Sequence, residues 1–267
     1  MNPRTNDRTY QSKRAMRNVA CGAPAPRGFS LVELLVVISI AMALMSVLMP
    51  ALRSVRDHTD RMISASNMRQ IGISMSMYST DNMGWLPYSA LLREEEGNFM
   101  SEMMATYIGI DGYLFFRDGP APRIGANGFE GLGLLYQQAY TSPDIFYSPS
   151  HSGDHSLERY ADMYLNPPDI GVIYGNYHYR GDIDPFDRNR RLNLVNDANR
   201  VFVTDGMRTR RDLNHEGGFN ILRGDGSVSW RADPEREIFH LLPEERNLPG
   251  GADVPLERIW QFLDTGE

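Results

Sequence analysis

Phe29-Ser30-Leu31-Val32-Glu33-Leu34-Leu35-Val36-Val37-Ile38-Ser39-Ile40 opens an apolar run that continues to Leu52, and Glu33 is its one ionisable side chain. A helix over residues 29–52 would rise roughly 36 Å at 1.5 Å per residue, enough to cross a hydrocarbon core of about 30 Å. A carboxylate inside such a segment costs about 2.5–3.5 kcal/mol on insertion scales, so it calls for a partner. A cut between Gly28 and Phe29 would supply one. The new terminal ammonium would lie one helical turn from Glu33, and the two charges could neutralise each other within one chain or between packed neighbours.

The residues ahead of the run carry Arg4, Arg8, Lys13, Arg14, Arg17 and Arg27 against Asp7. Residues 1–28 therefore read as a basic leader of charge +5, held on the cytoplasmic side while the rest of the chain is exported. Taking that leader from a formal −7 leaves −12 on the remainder, which gives no electrostatic case for nucleic-acid binding. A mean hydropathy of −0.40 over 267 residues excludes a multi-spanning protein and leaves room for one medium domain. Cys21 is the sole cysteine and Lys13 the sole lysine. Both fall in the leader, so the remainder would hold no disulfide and would depend on core burial. A secretory signal peptide would need a small-x-small cleavage site after its apolar core, and Met49-Pro50-Ala51-Leu52-Arg53 supplies none. A plain signal anchor explains the apolar run but not Glu33.

Beyond Pro50 the chain turns polar, yet Val55, Met62, Ile63, Met68, Ile71, Met75 and Tyr78 recur at helical spacing. The periodicity predicts that the helix runs on to about Ser79. Asp81-Asn82-Met83-Gly84 and Pro87 then end it. Glu94-Glu95-Glu96 predicts a helix through Met103, Met104 and Tyr107, and Gly119-Pro120 a loop. Gly131–Tyr136 reads as a short helix, Tyr174–Tyr179 as one aromatic strand and Arg200–Gly206 as a strand ending in a turn. Phe219–Leu222 and Ser227–Trp230, flanking Arg223-Gly224-Asp225-Gly226, form the clearest hairpin. A short amphipathic helix over Val254–Leu263 closes the chain.

Arg27-Gly28-Phe29, with Glu33 the fifth residue counted from Phe29, resembles the prepilin signal of type IV pilins and type II secretion pseudopilins. The resemblance implies that a membrane aspartyl peptidase cuts between Gly28 and Phe29 and methylates the Phe29 amine. It also implies that Glu33 serves assembly. Asn67–Gly72, Met77-Tyr78 and Asp81–Pro87 look like the helix exit of a large pseudopilin-like family named for a C-terminal H-X9-DG signature, and His215 with Asp225-Gly226 has that spacing. Asp144–Ser150 fits the same family, except that Ser148 stands where its members usually carry Cys. The implied fold is α+β: a long N-terminal helix on a small antiparallel sheet.

The divisions expected are a leader (1–28, removed), a membrane and assembly helix (29–52), its amphipathic continuation (53–84) and an exported head (85–267) with the hairpin at 215–230. Two readings compete for His215. It either hydrogen-bonds across the loop, with Asp225-Gly226 as a tight turn, or forms a carboxylate and imidazole cluster with Asp205 and Asp225. The first is favoured, and neither an enzyme nor a metal site is expected. Some major pseudopilins bind calcium in a C-terminal loop, and Asp182, Asp184 and Asp187 have some likeness to one. An EF-hand's Gly and Glu offsets are missing, so solvated acids are the favoured reading. His151, His155, His178 and His240 read as surface or packing residues.

The function expected is a structural subunit, single-pass in the bacterial inner membrane with its head in the periplasm or at the cell surface. Its partners would be the prepilin peptidase and methylase, other pilin or pseudopilin subunits and the inner-membrane assembly platform. The alternative is a membrane-anchored binding module that never polymerises, using Tyr174, Tyr177 and Tyr179 as an aromatic platform.

Overall fold

The computed structural model describes residues 28–88, 105–108, 129–168, 171–182, 184, 190–215, 217–244 and 256–265. The expected leader, the Glu94–Glu96 helix start, Gly119-Pro120 and Asp187 lie outside these residues. The chain divides into two compact units at Pro50/Ala51.

Helix α1 spans Leu31–Asp81 and runs through Pro50 without interruption. Its part in the first unit is long and apolar enough to cross a membrane, and no described residue up to Pro50 is buried. Its N-terminus is capped from within the sequence Ser30-Leu31-Val32-Glu33. The Ser30 amide donates to Glu33 Oε2 at 2.9 Å, and Ser30 Oγ accepts from the Val32 amide at 3.3 Å. This reciprocal pairing is a capping box, which relieves two amide donors that no earlier turn can satisfy.

In the second unit, α1 ends at Asp81 with a turn through Met83 and Gly84, both at positive φ. Strand β3 (Tyr177–Tyr179), β4 (Val201–Asp205), β5 (Gly218–Arg223) and β6 (Val228–Ala232) form an antiparallel sheet in that order. The fold is α+β and pilin-like. Alternation along each strand assigns its side chains to opposite faces. Tyr177, Tyr179 and Leu222 share a core with Met68, Ile71, Met75 and Tyr78 of α1. Phe219 and Ile221 join a second core with Ile259, Trp260 and Leu263 of the closing helix α5 (Leu256–Thr265). Helices therefore cover both sheet faces. At Gly72 a Cβ would lie 2.9 Å from Leu222 Cδ1, so the glycine sets how closely α1 approaches the sheet.

Three expectations need correction. Val55, Met62 and Ile63 are exposed: the head reaches α1 at Arg61, and the first residue of α1 that it buries is Ser64. Tyr107 is not helical: Ala105–Ile108 is strand β1, paired antiparallel with β2 (Gly171–Tyr174). Tyr174 and Tyr177 belong to different sheets. The chain breaks at Asn176, whose side chain accepts from the Ser148 amide at 3.0 Å and donates to the His155 carbonyl at 2.8 Å. The remaining helices are α2 (Gly133–Gln137), α3 (Leu157–Leu165) and α4 (Glu237–Leu241).

Candidate functional site

Phe29 is 85% exposed, and Glu33 lies in the first turn of α1, its carboxylate held by the Ser30 amide. The Ser-x-x-Glu ahead of an apolar run is a capping signal in its own right. It gives Glu33 a local partner, the Ser30 amide, besides any charge it meets.

His215 and Asp225 do not meet. They lie beyond opposite ends of β5, whose six residues span roughly 17–20 Å. Asp225 is exposed at the hairpin tip, where its Oδ1 accepts from the Ser227 amide at 2.8 Å and Gly226 takes φ 81°. Those bonds hold its carboxyl below the ordinary range. At the other end Gly217 takes φ 78°, and a Cβ on Gly218 would collide with the Arg231 carbonyl. This half of the signature is thus a tight turn and a crowded strand entry.

His215 instead joins a hydrogen-bonded seam between α1 and the head. Tyr177 donates to Ser64 Oγ at 3.2 Å, and Ser64 Oγ pairs with Ser148 Oγ at 2.6 Å. Ser148 Oγ meets Ser150 Oγ at 2.9 Å, and Ser150 Oγ meets His215 Nδ1 at 3.3 Å. Asn220 Nδ2 donates to the Arg61 carbonyl at 3.2 Å and lies 3.4 Å from His215 Nε2. That amide nitrogen can only donate, so Nε2 accepts and Nδ1 carries the proton. Ser150 faces the protonated nitrogen, so His215 is not placed to take its proton.

Asp205 is fully buried, 3.8 Å from His215 Nε2, and accepts from Asn214 Nδ2 and the Asn220 amide. Burial pushes its carboxyl up to about 7, against the pull of those hydrogen bonds. Burial and the nearby Arg61 charge push His215 down to about 4. Trp230 lies between His215, at 5.8 Å, and the Arg61 guanidinium, at 3.9 Å. The cluster ties α1 to β5 and β6.

Asp182 and Asp184 are buried and ion-paired, not solvated. Arg191 bonds Asp182 at 3.1 Å, while Arg190 and Arg200 bond Asp184 at 2.8 and 2.9 Å. Guanidinium groups hold the oxygens that a calcium ion would need. Among the described residues, no three His, Cys, Asp or Glu side chains are close enough together to enclose a metal ion. Tyr177 and Tyr179 are buried core residues, so the aromatic platform does not exist as a surface. Sequence reasoning missed a second polar cluster around His151, His155 and Asp212, whose signal was the His-x-x-x-His spacing.

Residues 25–49 match the family described as prokaryotic N-terminal methylation motif. Neither a curated protein nor a solved structure matches the chain. The matched motif supports a pilin-type or pseudopilin-type precursor, a structural subunit rather than an enzyme.

Proposed function

We propose that this precursor of the pilin and pseudopilin type is cut between Gly28 and Phe29, methylated on the Phe29 amine, and assembled through residues 29–52 into a pilus or secretion pseudopilus. The observation that carries this reading is an apolar first half of α1 with no buried residue, whose single carboxylate sits one turn from Phe29, inside the matched residues 25–49. The segment anchors the chain in the cytoplasmic membrane, and the basic leader keeps residues 1–28 inside while the head is exported.

In the precursor, Glu33 accepts the Ser30 amide. After cleavage the Phe29 ammonium offers that carboxylate a full opposite charge, where the Ser30 amide offers only a dipole. When the ammonium comes from a neighbouring subunit, each addition neutralises one charge pair and exposes the next. Contacts of this head-to-tail kind extend without closing, and so build a filament. The prepilin peptidase, other pilin-like subunits and an inner-membrane assembly platform are the partners this reading requires. A non-polymerising anchored binding module draws no support from the buried tyrosines.

The deciding experiment is the intact mass and N-terminal residue of the protein recovered from membranes, with and without a prepilin peptidase. Cleavage to N-methyl-Phe29 only when the peptidase is present supports the reading. A chain that still begins at Met1 in both samples sinks it.

A further inference from the structure

We propose that His151 and His155 form an acid-operated latch, independent of the filament reading: as neutral rings they hold residues 151–156 against the head, and protonation of both releases that loop.

The two rings are the buried part of the loop. Ser152, Asp154 and Ser156 are exposed, whereas His151 and Gly153 are half-buried and His155 is buried. The loop backbone is tied down by the His151 amide on the Ser148 carbonyl at 3.2 Å and by Asn176 Nδ2 on the His155 carbonyl at 2.8 Å. Arg159 reaches back to the Asp154 carbonyl at 3.1 Å. The side chains form a column. His151 stacks on His155 with ring centroids 6.2 Å apart, and His155 stacks on Tyr174 of β2 at 4.6 Å. The Arg208 guanidinium lies 4.7 Å from the Tyr174 ring centre.

Hydrogen bonds fix where a further proton would have to go. Asn214 Nδ2 donates to the Asn176 carbonyl at 2.7 Å and to Asp205 Oδ1 at 3.0 Å. Its oxygen is therefore turned to His151 Nδ1, at 3.1 Å, and that nitrogen carries the proton. His151 Nε2 is then unprotonated, and it is buried without a hydrogen-bond partner. Gly153 closes over it so tightly that a Cβ there would stand 2.6 Å from Nε2. A proton added at Nε2 would have no acceptor among the described residues, and a buried cationic donor left unpaired is costly. His155 Nδ1 lies 3.0 Å from the Tyr160 hydroxyl, and its Nε2 lies 3.9 Å from Asp212 Oδ1, too far for a hydrogen bond.

One carboxylate cannot balance the cations that acid would create here. Asp212 Oδ2 already accepts from Thr209 Oγ1 at 2.8 Å and Arg208 Nε at 3.3 Å. Among the other groups that face the rings, Asp154 and Arg159 act from exposed positions, while burial keeps Tyr160 and Tyr174 neutral. Two stacked imidazolium rings beside Arg208 would set three positive charges against Asp212. In the released loop both rings regain water and their ordinary basicity, so acid drives opening. A pKa of 6.5 in the free loop against about 4 in place raises the open population roughly 300-fold for His155 as pH falls through that range. Burial depresses His151 in the same direction, which adds to the effect. Release uncovers the ring of Tyr174 and the carboxylate of Asp212, and the head presents a different surface in acid.

The test uses the full chain in detergent with Cys21→Ser and Ser152→Cys, so that a nitroxide label on the loop is the single one. Its EPR mobility is followed from pH 7 to pH 4, beside the emission of Trp85, Trp230 and Trp260, which all lie outside the loop. The expected result is a rise in mobility below pH 6.5, steeper than one proton allows, with tryptophan emission unchanged. His151→Gln combined with His155→Gln should make the mobility independent of pH. Arg208→Gln keeps both histidines and removes the neighbouring cation, so the midpoint should move down by about one pH unit. His240→Gln, at an exposed position elsewhere, should change nothing. Flat mobility in the folded wild type overturns the proposal. So does a rise that comes only together with a tryptophan change, or a midpoint that Arg208→Gln leaves in place.

Discussion

The two parts of α1 use apolar side chains in opposite ways. Up to Pro50, large apolar residues occur on every side, and none is buried by the chain itself. From Ser64 onward, Met68, Ile71, Met75 and Tyr78 form one stripe closed over by the sheet, while Ile73 and Met77 on other faces remain exposed. Hydrophobic content alone does not separate the two; coverage does. An all-round apolar helix needs a solvent other than water, whereas a striped one needs a single neighbour. The first half therefore contributes to location and assembly, and the second to the stability of the head.

The strongest way to break this comparison is to truncate one apolar side chain in each part. Ile71→Ala removes a fully buried side chain beneath the sheet and should cost about 2–5 kcal/mol of unfolding free energy. Ile40→Ala, at an exposed position, should leave the head within about 0.5 kcal/mol of wild type. Urea unfolding of both full-length variants in detergent, followed by tryptophan fluorescence, reads the difference. Equal losses would mean that the two parts do not act separately.

Acidification sharpens the comparison, since the described buried titrating histidines belong to the head. Burial, then the Arg208 charge, pushes His155 down to about 4 from an unfolded value near 6.5. A depressed histidine adds stability above pH 6.5 that is lost as pH falls toward 4, because the unfolded chain takes up the proton first. The loss should be about 1–3 kcal/mol, and His155→Gln should flatten that part of the profile. Asp205 works in the opposite sense: its raised pKa adds stability below about 4 that disappears as pH climbs to 7. A wild-type profile parallel to that of His155→Gln from pH 6.5 to 4 would rule out the buried neutral ring.

The stripe in the second half was legible as a period, and the β5–β6 hairpin as an Asp-Gly turn between alternating strands. The seam beside the stripe was not. Ser64 is fully buried, with Ser148 and Tyr177 as partners, yet apolar periodicity scores a serine as surface. The same blindness made Asp182 and Asp184 look solvated, since their arginines lie 6 to 16 residues away along the chain. Asn176 ended a strand through side-chain bonds to Ser148 and His155, about which the aromatic alternation carries no information. The junction at Gly28/Phe29 could be read because its residues act locally. The clusters around His215 and His151 are assembled from distant segments and became visible only in the fold. Ser64→Ala offers a moderate test of the seam. It removes the acceptor of Tyr177 and the partner of Ser148 at a buried position, for an expected loss of about 1–3 kcal/mol. A loss under about 0.3 kcal/mol in the same urea assay, well below what an unmade buried hydrogen bond costs, would reduce the seam to filler.

Glu33→Ala should change head stability least and assembly most. Among the described residues the carboxylate bonds the Ser30 amide alone, so its removal costs one capping interaction, about 0.5–2 kcal/mol local to the helix end. Sites with no shared partner behave additively, so the unfolding midpoint of the head should stay within experimental error. Glu33→Gln separates the two proposed roles of the side chain. Its amide oxygen still accepts the Ser30 amide and preserves the cap, but it carries no charge to meet an ammonium. Cleavage should proceed in both variants, and sheared filaments should be lost in both. Filaments formed by Glu33→Gln but not by Glu33→Ala would assign the residue to capping alone. Filaments formed by both would remove Glu33 from assembly altogether.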